Sequence, residues 1–337
     1  MELGLLENLL NKAIADRGDL FDARHETAFR LFNGFNEGCA ELAVDLYATT
    51  VVLHDYADPP QQGSPSIQAA QEILRAQLPW LRAGVLKIRN SPRADERQGR
   101  LLFGTAPDSR VREDGVWYAI DVCLNRDASF YLDTRNLRQW ARHQLRDKTV
   151  LNTFAYTGSL GVAAQAGGAS RVVHLERNRN FLNVAKTSYT LNGFAIQKPD
   201  FLVGDFWTEV SRLKRSGEGF DCVFLDPPLF SQTSKGVVDL VHESARVINK
   251  VRPLINNGGY LVTINNAMYV SGREYMGILE QLCGDGYLSV KELIPVPQDF
   301  IGHSASQPGE VIADPAPFNH ATKIAEVGVR RKEVSHS

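Results

Sequence analysis

Three carboxylates in the middle of the chain each stand at the end of a short apolar run. Glu176 follows the run 172–175, Asp205 follows a shorter run, and Asp226 follows the run 220–225. Runs this short and apolar are typical of parallel strands that are buried on both faces. The carboxyl ends of such strands share one edge of the sheet, where ligands bind. The sequence therefore predicts that the three carboxylates lie along one ligand-binding edge.

A fourth apolar run, 150–154, leads into a turn that contains Tyr156 and Gly158. A carboxylate about 20 residues after such a turn can accept hydrogen bonds from both hydroxyls of a ribose, and Glu176 has this spacing. The turn lacks the G-x-G-x-x-G pattern of a pyrophosphate site, and no P-loop lysine follows it. A cofactor with a ribose and no phosphate fits better, and S-adenosylmethionine is such a cofactor.

Further residues are candidates for the same site. Asp205 is expected to accept a hydrogen bond from the adenine amine with Phe206 beside the ring, and a helix N-cap is the alternative role for Asp205. Tyr156 is expected to pack on the cofactor. Arg135 and Arg138, one helical turn apart, are expected to face the cofactor carboxylate or an RNA phosphate. A solvated helix face is the alternative, and it is favoured for Arg138.

Several segments resemble one family. The sequences LNTFAYTGSL at 151–160, LNGF at 191–194 and DPPLFS at 226–231 are similar to those of the S-adenosylmethionine-dependent methyltransferases that modify large-subunit (23S) ribosomal RNA. FYLDTRNLR at 130–138 resembles the segment that leads into the methyltransferase domain of that family. Short segments between residues 30 and 47 resemble its small β-rich substrate domain. The N-terminal PUA-like RNA-binding module that the family often has is not expected here, and Ser188 stands where Asn is frequent.

The resemblance implies an α/β fold, a Rossmann-like class I methyltransferase sheet that is mostly parallel with an antiparallel last strand. It implies S-adenosyl-L-methionine as the cofactor and ribosomal RNA as a partner. The catalytic residues that it implies are Asp226, Pro227 and Phe230. The cofactor-binding residues are Phe130, Arg135, Asn152, Phe154, Tyr156, Gly158, Glu176, Arg177, Asp205, Phe206 and Asp226.

The sequence Asp226-Pro227-Pro228-Leu229-Phe230 suits methyl transfer to a planar nitrogen. Such a transfer is an in-line displacement, so the protein must hold the nucleophile close to the methyl group and accept the charge that develops. The Asp226 carboxylate and the Pro227 carbonyl can accept hydrogen bonds from the N–H, and Phe230 can stack on a base. The alternative is a rigid strand exit followed by a core phenylalanine.

The positions of the cysteines bear on which atom is methylated. Methylation of cytosine carbon 5 requires a thiolate that attacks the ring, and the cysteine that supplies it in this family follows the fifth strand. Here that stretch, 263–269, contains none, whereas Asn265 and Asn266 resemble an Asn pair of a nitrogen-methylating branch. A guanine nitrogen is therefore the preferred target. A thiol from Cys39 or Cys123, a small-molecule substrate and a non-catalytic RNA- or protein-binding role remain alternatives.

Composition is typical of a cytoplasmic enzyme. No apolar run approaches the roughly 20 residues of a membrane span, and the four scattered cysteines predict neither a zinc site nor a disulfide framework. The net charge of −2 is low for a protein that grips RNA. Arg89, Arg93, Arg97 and Arg100 form a candidate basic patch. The oligomeric state stays open, with a homodimer as one alternative.

The positions of Gly, Pro and Asn, which mark turns and loops, together with the chain length, predict two domains. They are an N-terminal α+β substrate-binding domain at 1–124 and a methyltransferase domain at 125–337. Asp114-Gly115 marks a hairpin. Helices are expected up to Asp16 and at 67–81, 236–255 and 272–283. Strands are expected within 28–56 and at 85–89, 101–104, 116–124, 260–264, 287–293 and 323–329, with a proline-rich loop at 295–317.

Overall fold

The computed structural model of the protein describes residues 3–303 and 313–331. Within these ranges the chain divides into two compact units, one of residues 3–133 with 297–303 and the other of residues 134–296 with 313–331. The predicted domain boundary near residue 124 stays a prediction, because a division into compact units does not show which segments fold as independent domains. The predicted loop 295–317 lies partly outside the described residues.

The N-terminal unit contains a five-stranded sheet. Its helices and strands up to residue 119 are α1 (Leu3–Asp16), β1 (Ala28–Asn33), α2 (Gly34–Glu37), β2 (Leu42–Tyr47), β3 (Thr50–Asp55), α3 (Ser64–Gln77), β4 (Ala83–Ile88), α4 (Ala94–Gln98), β5 (Arg100–Phe103), β6 (Arg110–Glu113) and β7 (Val116–Ala119). Strands β1 to β5 pair in sequence order, with β3 and β4 parallel and the other neighbours antiparallel. The helix predicted at 67–81 is α3, which begins and ends a few residues earlier and connects the two parallel strands.

Apolar side chains from α1, α3 and the sheet form the core of this unit. Leu10 of α1 and Leu74 of α3 are buried together with Phe29 and Leu53 of the strands. The hairpin predicted at Asp114-Gly115 is confirmed, since it joins β6 to β7. Both turn residues have positive φ angles, 48° and 84°, as the favoured two-residue turn requires.

The strand predicted at 116–124 is shorter than expected and ends at Ala119. The Asp121 side chain accepts a hydrogen bond from the backbone N–H of Cys123 at 3.0 Å. Such a bond closes an Asx turn, which takes the chain out of the extended conformation. A local side-chain bond therefore ended a strand that the apolar residues alone would have extended.

The C-terminal unit is an α/β domain built on a seven-stranded sheet. Its elements are α5 (Arg135–Gln144), β8 (Thr149–Thr153), α6 (Ser159–Ala166), β9 (Arg171–Glu176), α7 (Arg179–Leu191), β10 (Phe201–Val203), α8 (Phe206–Arg215), β11 (Phe220–Leu225), β12 (Phe230–Thr233), β13 (Gly236–Asp239), α9 (Ser244–Val251), β14 (Ile255–Asn265), α10 (Gly272–Cys283), β15 (Leu288–Leu293) and β16 (Lys323–Val329). A last short helix, α11 (Gln298–Ile301), belongs to the N-terminal unit.

The order of strands in this sheet is β10-β9-β8-β11-β14-β16-β15. The first five strands are parallel, and β16 is antiparallel to both of its neighbours. Helices cover both faces of the sheet, so alternate residues of one strand enter different cores. Leu151 belongs to one buried cluster and its neighbour Val150 to the other. The mostly parallel sheet with an antiparallel last strand is confirmed, as is its reason, burial on both faces.

The helix predicted at 236–255 is wrong in its first half. Residues 230–239 form the hairpin β12–β13, and the helix α9 covers Ser244–Val251. Val237 and Val238 are β-branched residues that pack well on a strand, and Val238 is buried in the core. The Asn257-Gly258-Gly259 sequence, which is typical of a segment that ends a helix, lies inside β14, where Gly258 has a φ of 76°.

None of the helices in the described ranges combines the length and the apolar character needed to cross a membrane. In the same ranges, no group of three His, Cys, Asp or Glu side chains is arranged to hold a metal ion.

Candidate active site

The turn between β8 and α6 has an unusual backbone. Phe154 and Tyr156 have φ angles of 52° and 51°, and Gly158 has a φ of 79°. A left-handed conformation costs a non-glycine residue on the order of 1–3 kcal/mol, and such strain collects at ligand sites. A Cβ atom on Gly158 would lie 2.6 Å from the Cβ of Ala185, so glycine is required there by contact as well as by φ.

The Glu176 carboxylate at the end of β9 is fixed by two backbone donors. The N–H of Tyr156 donates to Oε2 at 3.0 Å, and the N–H of Asn178 donates to Oε1 at 2.8 Å. The side chain is half-buried. A carboxylate oxygen can accept more than one hydrogen bond, so each oxygen keeps acceptor capacity for a ligand. Glu176 thus has a fixed orientation beside the strained turn, as its predicted role requires.

Backbone hydrogen bonds join three neighbouring strand ends at this edge. The N–H of Ala155 donates to the carbonyl of Leu175 at 2.9 Å, and the N–H of Gly204 donates to the carbonyl of Glu176 at 3.1 Å. The first bond ties the turn after β8 to β9, and the second ties the end of β10 to β9. The arrangement brings Glu176, Asp205 and the turn together.

Asp205 is the N-cap of α8. Its Oδ1 atom accepts from the backbone N–H of Thr208 at 3.2 Å and from the Thr208 hydroxyl at 3.4 Å. The capping role, weighed as the alternative, is therefore present. Both bonds use Oδ1, so capping does not occupy Oδ2. Contact of Asp205 with adenine stays a prediction.

Phe206 lies in the hydrophobic core and packs against the turn that follows β8. Its ring stacks on that of Phe154, with centroids 4.5 Å apart and planes 28° apart. Phe206 is buried, while Phe154 is partly exposed. Direct contact of Phe206 with a cofactor ring stays a prediction. Tyr156 is partly exposed and packs edge-on against Phe181.

The sequence after β11 carries a carboxylate and an exposed ring. Asp226 is half-buried and Pro227 is buried, which fixes the strand exit. Phe230 is 60% exposed at the start of β12, so the core-phenylalanine alternative is wrong. Since β8 and β14 flank β11 as parallel neighbours, Asp226 leaves the sheet at the edge that carries the strained turn.

Two of the predicted polar residues of the C-terminal unit are buried. Asn152 of β8 is 2% exposed, and its Nδ2 atom makes no hydrogen bond to the described part of the chain. Arg138 of α5 is fully buried and donates to the Thr134 hydroxyl at 2.8 Å. The solvated face favoured for Arg138 is wrong. Its position one residue after the core residue Leu137 and three before the core residue Ala141 places it on the buried stripe of the helix.

Three other predicted cofactor residues differ in their surroundings. Arg135 at the start of α5 is half-buried, and Arg177 after β9 is exposed. Phe130 is 3% exposed in the N-terminal unit, packed on Tyr118 with ring centroids 5.0 Å apart. The role of all three in cofactor binding stays a prediction.

The two asparagines after β14 differ from each other. Asn265 is fully buried, and its Nδ2 donates to the carbonyl of Leu240 at 3.3 Å and to the Ser244 hydroxyl at 3.2 Å. Its Oδ1 accepts from the N–H of Ala267 at 2.9 Å. Asn266 is exposed. Asn265 therefore fixes the loop, whereas Asn266 is accessible to a substrate.

The four thiols are poorly suited to nucleophilic attack. Burial raises the pKa of the Cys39 thiol to about 11 and that of Cys222 well above its ordinary value. Burial also raises the pKa of Cys123 and of Cys283. The thiolate is the nucleophile, so all four side chains are largely protonated at neutral pH. The interpretation of Cys222 as a small buried apolar residue is confirmed.

The candidate basic patch of the N-terminal unit is partly neutralised. Arg93 pairs with Asp95 at 2.7 Å, and Arg89 pairs with Asp127 at 3.4 Å. Arg97 donates to the carbonyl of Ser91 at 2.6 Å. Positive charge that is already paired contributes less to phosphate binding.

Met268 and Tyr269 were not singled out from the sequence, although they lie on the loop after β14. They are 47% and 81% exposed. One sequence feature could have indicated Tyr269: it is an aromatic residue in the loop after β14. The neighbouring strand, β11, is followed by the predicted catalytic residues.

Comparison with known proteins gives consistent matches. Residues 81–283 match the family model described as S-adenosylmethionine-dependent methyltransferase. A protein of Photobacterium profundum named ribosomal RNA large subunit methyltransferase I is 25% identical, over 84% of this chain and 70% of its own. The protein of that name from Vibrio cholerae is 31% identical, over 73% of this chain and 63% of its own.

A solved structure has the same fold. It is a candidate S-adenosylmethionine-dependent methyltransferase from Streptococcus mutans, with a TM-score of 0.82 at 19% identity. The match covers 98% of this chain and 82% of that one. At this identity the likeness is one of fold.

Proposed function

Because this chain belongs to the S-adenosylmethionine-dependent methyltransferase family, we propose that it methylates a base nitrogen of large-subunit ribosomal RNA, with guanine as the favoured base. The observation that carries the proposal is the segment after β11, where the half-buried Asp226 is followed by the exposed ring of Phe230. Asp226 can accept a hydrogen bond from an N–H group, and the ring of Phe230 offers a flat surface on which a base can stack. Together they suit a planar nucleophile that carries an N–H.

The RNA substrate is inferred from the relatives. Those from Photobacterium and Vibrio carry names that specify the large ribosomal subunit, and the match to the first spans 84% of this chain. A cytoplasmic location follows from a ribosomal substrate and is part of the same proposal.

The residues of the edge fit S-adenosylmethionine. The two Glu176 oxygens, each fixed by one backbone donor, retain capacity for the ribose hydroxyls. The buried Nδ2 of Asn152 makes no hydrogen bond to the described residues, which makes it a donor that a bound molecule would satisfy. Asp205 would accept from the adenine amine, and Tyr156 and Gly158 would lie against the cofactor. When bound, S-adenosylmethionine supplies a methyl group on a good leaving group.

The protein's own contribution is to orient the base and to accept hydrogen bonds from the N–H of the reacting nitrogen. The Asp226 carboxylate and the Pro227 carbonyl would accept hydrogen bonds from the reacting nitrogen. Charge that develops on this nitrogen would be stabilised by the carboxylate, which needs no reorganisation because its strand exit is fixed. Phe230 would hold the ring plane by stacking.

We expect that replacement of all four cysteines by alanine leaves methyl transfer within about threefold of the wild-type rate. The physical reason is that each thiol has a raised pKa and that the loop after β14 contains no cysteine. Because Cys39 and Cys222 are buried, the thermal midpoint must be measured beside the rate, and Cys222→Val with Cys39→Val is the fallback that fills the core. A covalent complex trapped with 5-fluorocytosine RNA would restore the carbon-5 mechanism.

A methyltransferase for a small molecule or free nucleotide is the second candidate. The net charge of −2 and the ion pairs of Arg89 and Arg93 favour it. The two candidate functions can be distinguished by the molecule that receives a labelled methyl group, which is rRNA in one case and a small molecule or free nucleotide in the other.

The test is transfer from methyl-labelled S-adenosylmethionine in vitro. Purified protein is offered large-subunit rRNA from a strain that lacks the gene and, separately, a mixture of free nucleotides. Mass spectrometry of the digested RNA is expected to show one labelled methylguanosine. Label in 5-methylcytidine, or in free nucleotides alone, would contradict the proposal.

A further inference from the structure

The loop between β14 and α10 displays two large apolar side chains to solvent. Tyr269 is 81% exposed and Met268 is 47% exposed. A single exposed apolar residue needs no explanation, but a nearly bare aromatic ring beside a functional edge does.

The loop that carries Tyr269 is held firmly. The N–H of Ala267 donates to the Oδ1 of Asn265 at 2.9 Å, and the carbonyl of Ala267 accepts from the Nζ of Lys323 at 2.9 Å. The N–H of Val270 donates to the same carbonyl at 3.3 Å. Lys323 and Asn265 are both fully buried. Two buried polar side chains thus hold the backbone of Ala267, one through its N–H and the other through its carbonyl, two residues before Tyr269.

The other end of the loop is fixed by the start of α10. The Ser271 hydroxyl accepts from the N–H of Glu274 at 3.1 Å, and the Glu274 carboxylate accepts from the N–H of Ser271 at 2.7 Å. This reciprocal pair is a capping box. The Tyr269 backbone is therefore ordered before any partner binds, which lowers the entropic cost of binding.

Tyr269 and Phe230 follow neighbouring strands. Strands β11 and β14 are adjacent and parallel, with Leu225 opposite Thr263. The loops that follow them leave the same edge of the sheet side by side, one with Phe230 and the other with Tyr269. Each segment also carries an exposed cation, Lys235 at the tip of the β12–β13 hairpin and Arg273 in the first turn of α10.

We propose that Tyr269 is a second base-stacking residue, which binds a nucleotide next to the one that rests on Phe230. The proposal rests on the RNA substrate proposed above and specifies its form, an unpaired strand. Only an unstacked base offers its face to a tyrosine ring, because the bases of a duplex are covered by their neighbours. Lys235 and Arg273 supply positive charge for the phosphates on either side.

Binding of short RNA tests this directly. The probes are a fluorescein-labelled rA12 oligonucleotide and an abasic 12-mer with the same backbone. Tyr269→Ala is expected to weaken rA12 binding between about fivefold and 150-fold, the range that loss of one base–aromatic stack gives. Tyr269→Phe keeps the ring and should stay within twofold of wild type. Ile196→Ala is the control, since Ile196 is also exposed but precedes β10 at the opposite edge.

Two further measurements separate stacking from other roles. Affinity for S-adenosylmethionine, measured by calorimetry, should be unchanged in Tyr269→Ala, and the KM for rRNA should rise while kcat is largely kept. Unchanged rA12 affinity in Tyr269→Ala would overturn the proposal, and so would a wild-type protein that binds the abasic 12-mer as tightly as rA12. If the wild-type protein still methylates rRNA in that case, the proposed function stands and the stacking role alone fails.

Discussion

Asp226→Ala is expected to lower the rate of rRNA methylation by a factor of about 10²–10³, the typical cost of removing an acceptor aimed at developing charge. The carboxylate follows β11 directly and is half-buried, with the buried Pro227 fixing the chain behind it. Its effect should be greatest when the nitrogen gains positive charge. Affinity for S-adenosylmethionine should change little.

Single-turnover assays with saturating cofactor measure this effect without the contribution of product release. Asp285→Ala is a matched control, since Asp285 is an exposed carboxylate before β15 that pairs with Arg252 at 2.8 Å at the far edge of the sheet. Phe230→Ala should instead weaken RNA binding and leave cofactor affinity alone. If Asp226→Ala methylates at the normal rate, the reacting pocket lies elsewhere and the nitrogen mechanism fails with it.

Glu176→Ala is expected to weaken S-adenosylmethionine binding by more than tenfold. A charged acceptor for two ribose hydroxyls contributes about 1.5–3 kcal/mol. The substitution also removes the partner of two backbone N–H groups, those of Tyr156 and Asn178, so the strained turn should become less ordered. Both effects act in the same direction on affinity, and calorimetry measures their sum.

Glu176→Gln distinguishes the two contributions. A glutamine keeps one carbonyl oxygen and can retain only part of the backbone contacts, while it loses the charge. We expect an intermediate loss of affinity for this variant. Unchanged cofactor affinity in a folded Glu176→Ala protein would remove Glu176 from the site.

The parallel strands of the sheet could be predicted from the sequence for a physical reason. Strands covered on both faces must be apolar along their whole length, so β8, β9 and β11 stand out from their surroundings, and the polar residue that ends each of them is conspicuous. The helix α10 was predicted with its full bounds, and in the structure the capping box of Ser271 and Glu274 fixes its start. The resemblance to the family added the antiparallel end of the sheet.

Two of the errors, at the β12–β13 hairpin and at Arg138, occur where tertiary contacts outweigh local pattern, whereas the early end of β7 has the local cause of the Asp121 turn. The two valines of the β12–β13 hairpin, Val237 and Val238, are compatible with a helix or a strand in sequence, and burial of Val238 in the neighbouring core decides for the strand. The charge of Arg138 favours a solvated position, but its place beside the core residue Leu137 puts it on the buried side of α5. The loop at Tyr269 could not be judged from sequence, since its order depends on Lys323 far along the chain.

The most direct test of the central claim is the nucleoside content of large-subunit rRNA from cells that lack the gene. Mass spectrometry of the digested rRNA should show the loss of one methylated guanosine relative to the parent strain. Wild-type protein supplied in trans should restore the nucleoside, and Asp226→Ala should not. An rRNA nucleoside profile identical to that of the parent, or a loss of 5-methylcytidine, would contradict the account.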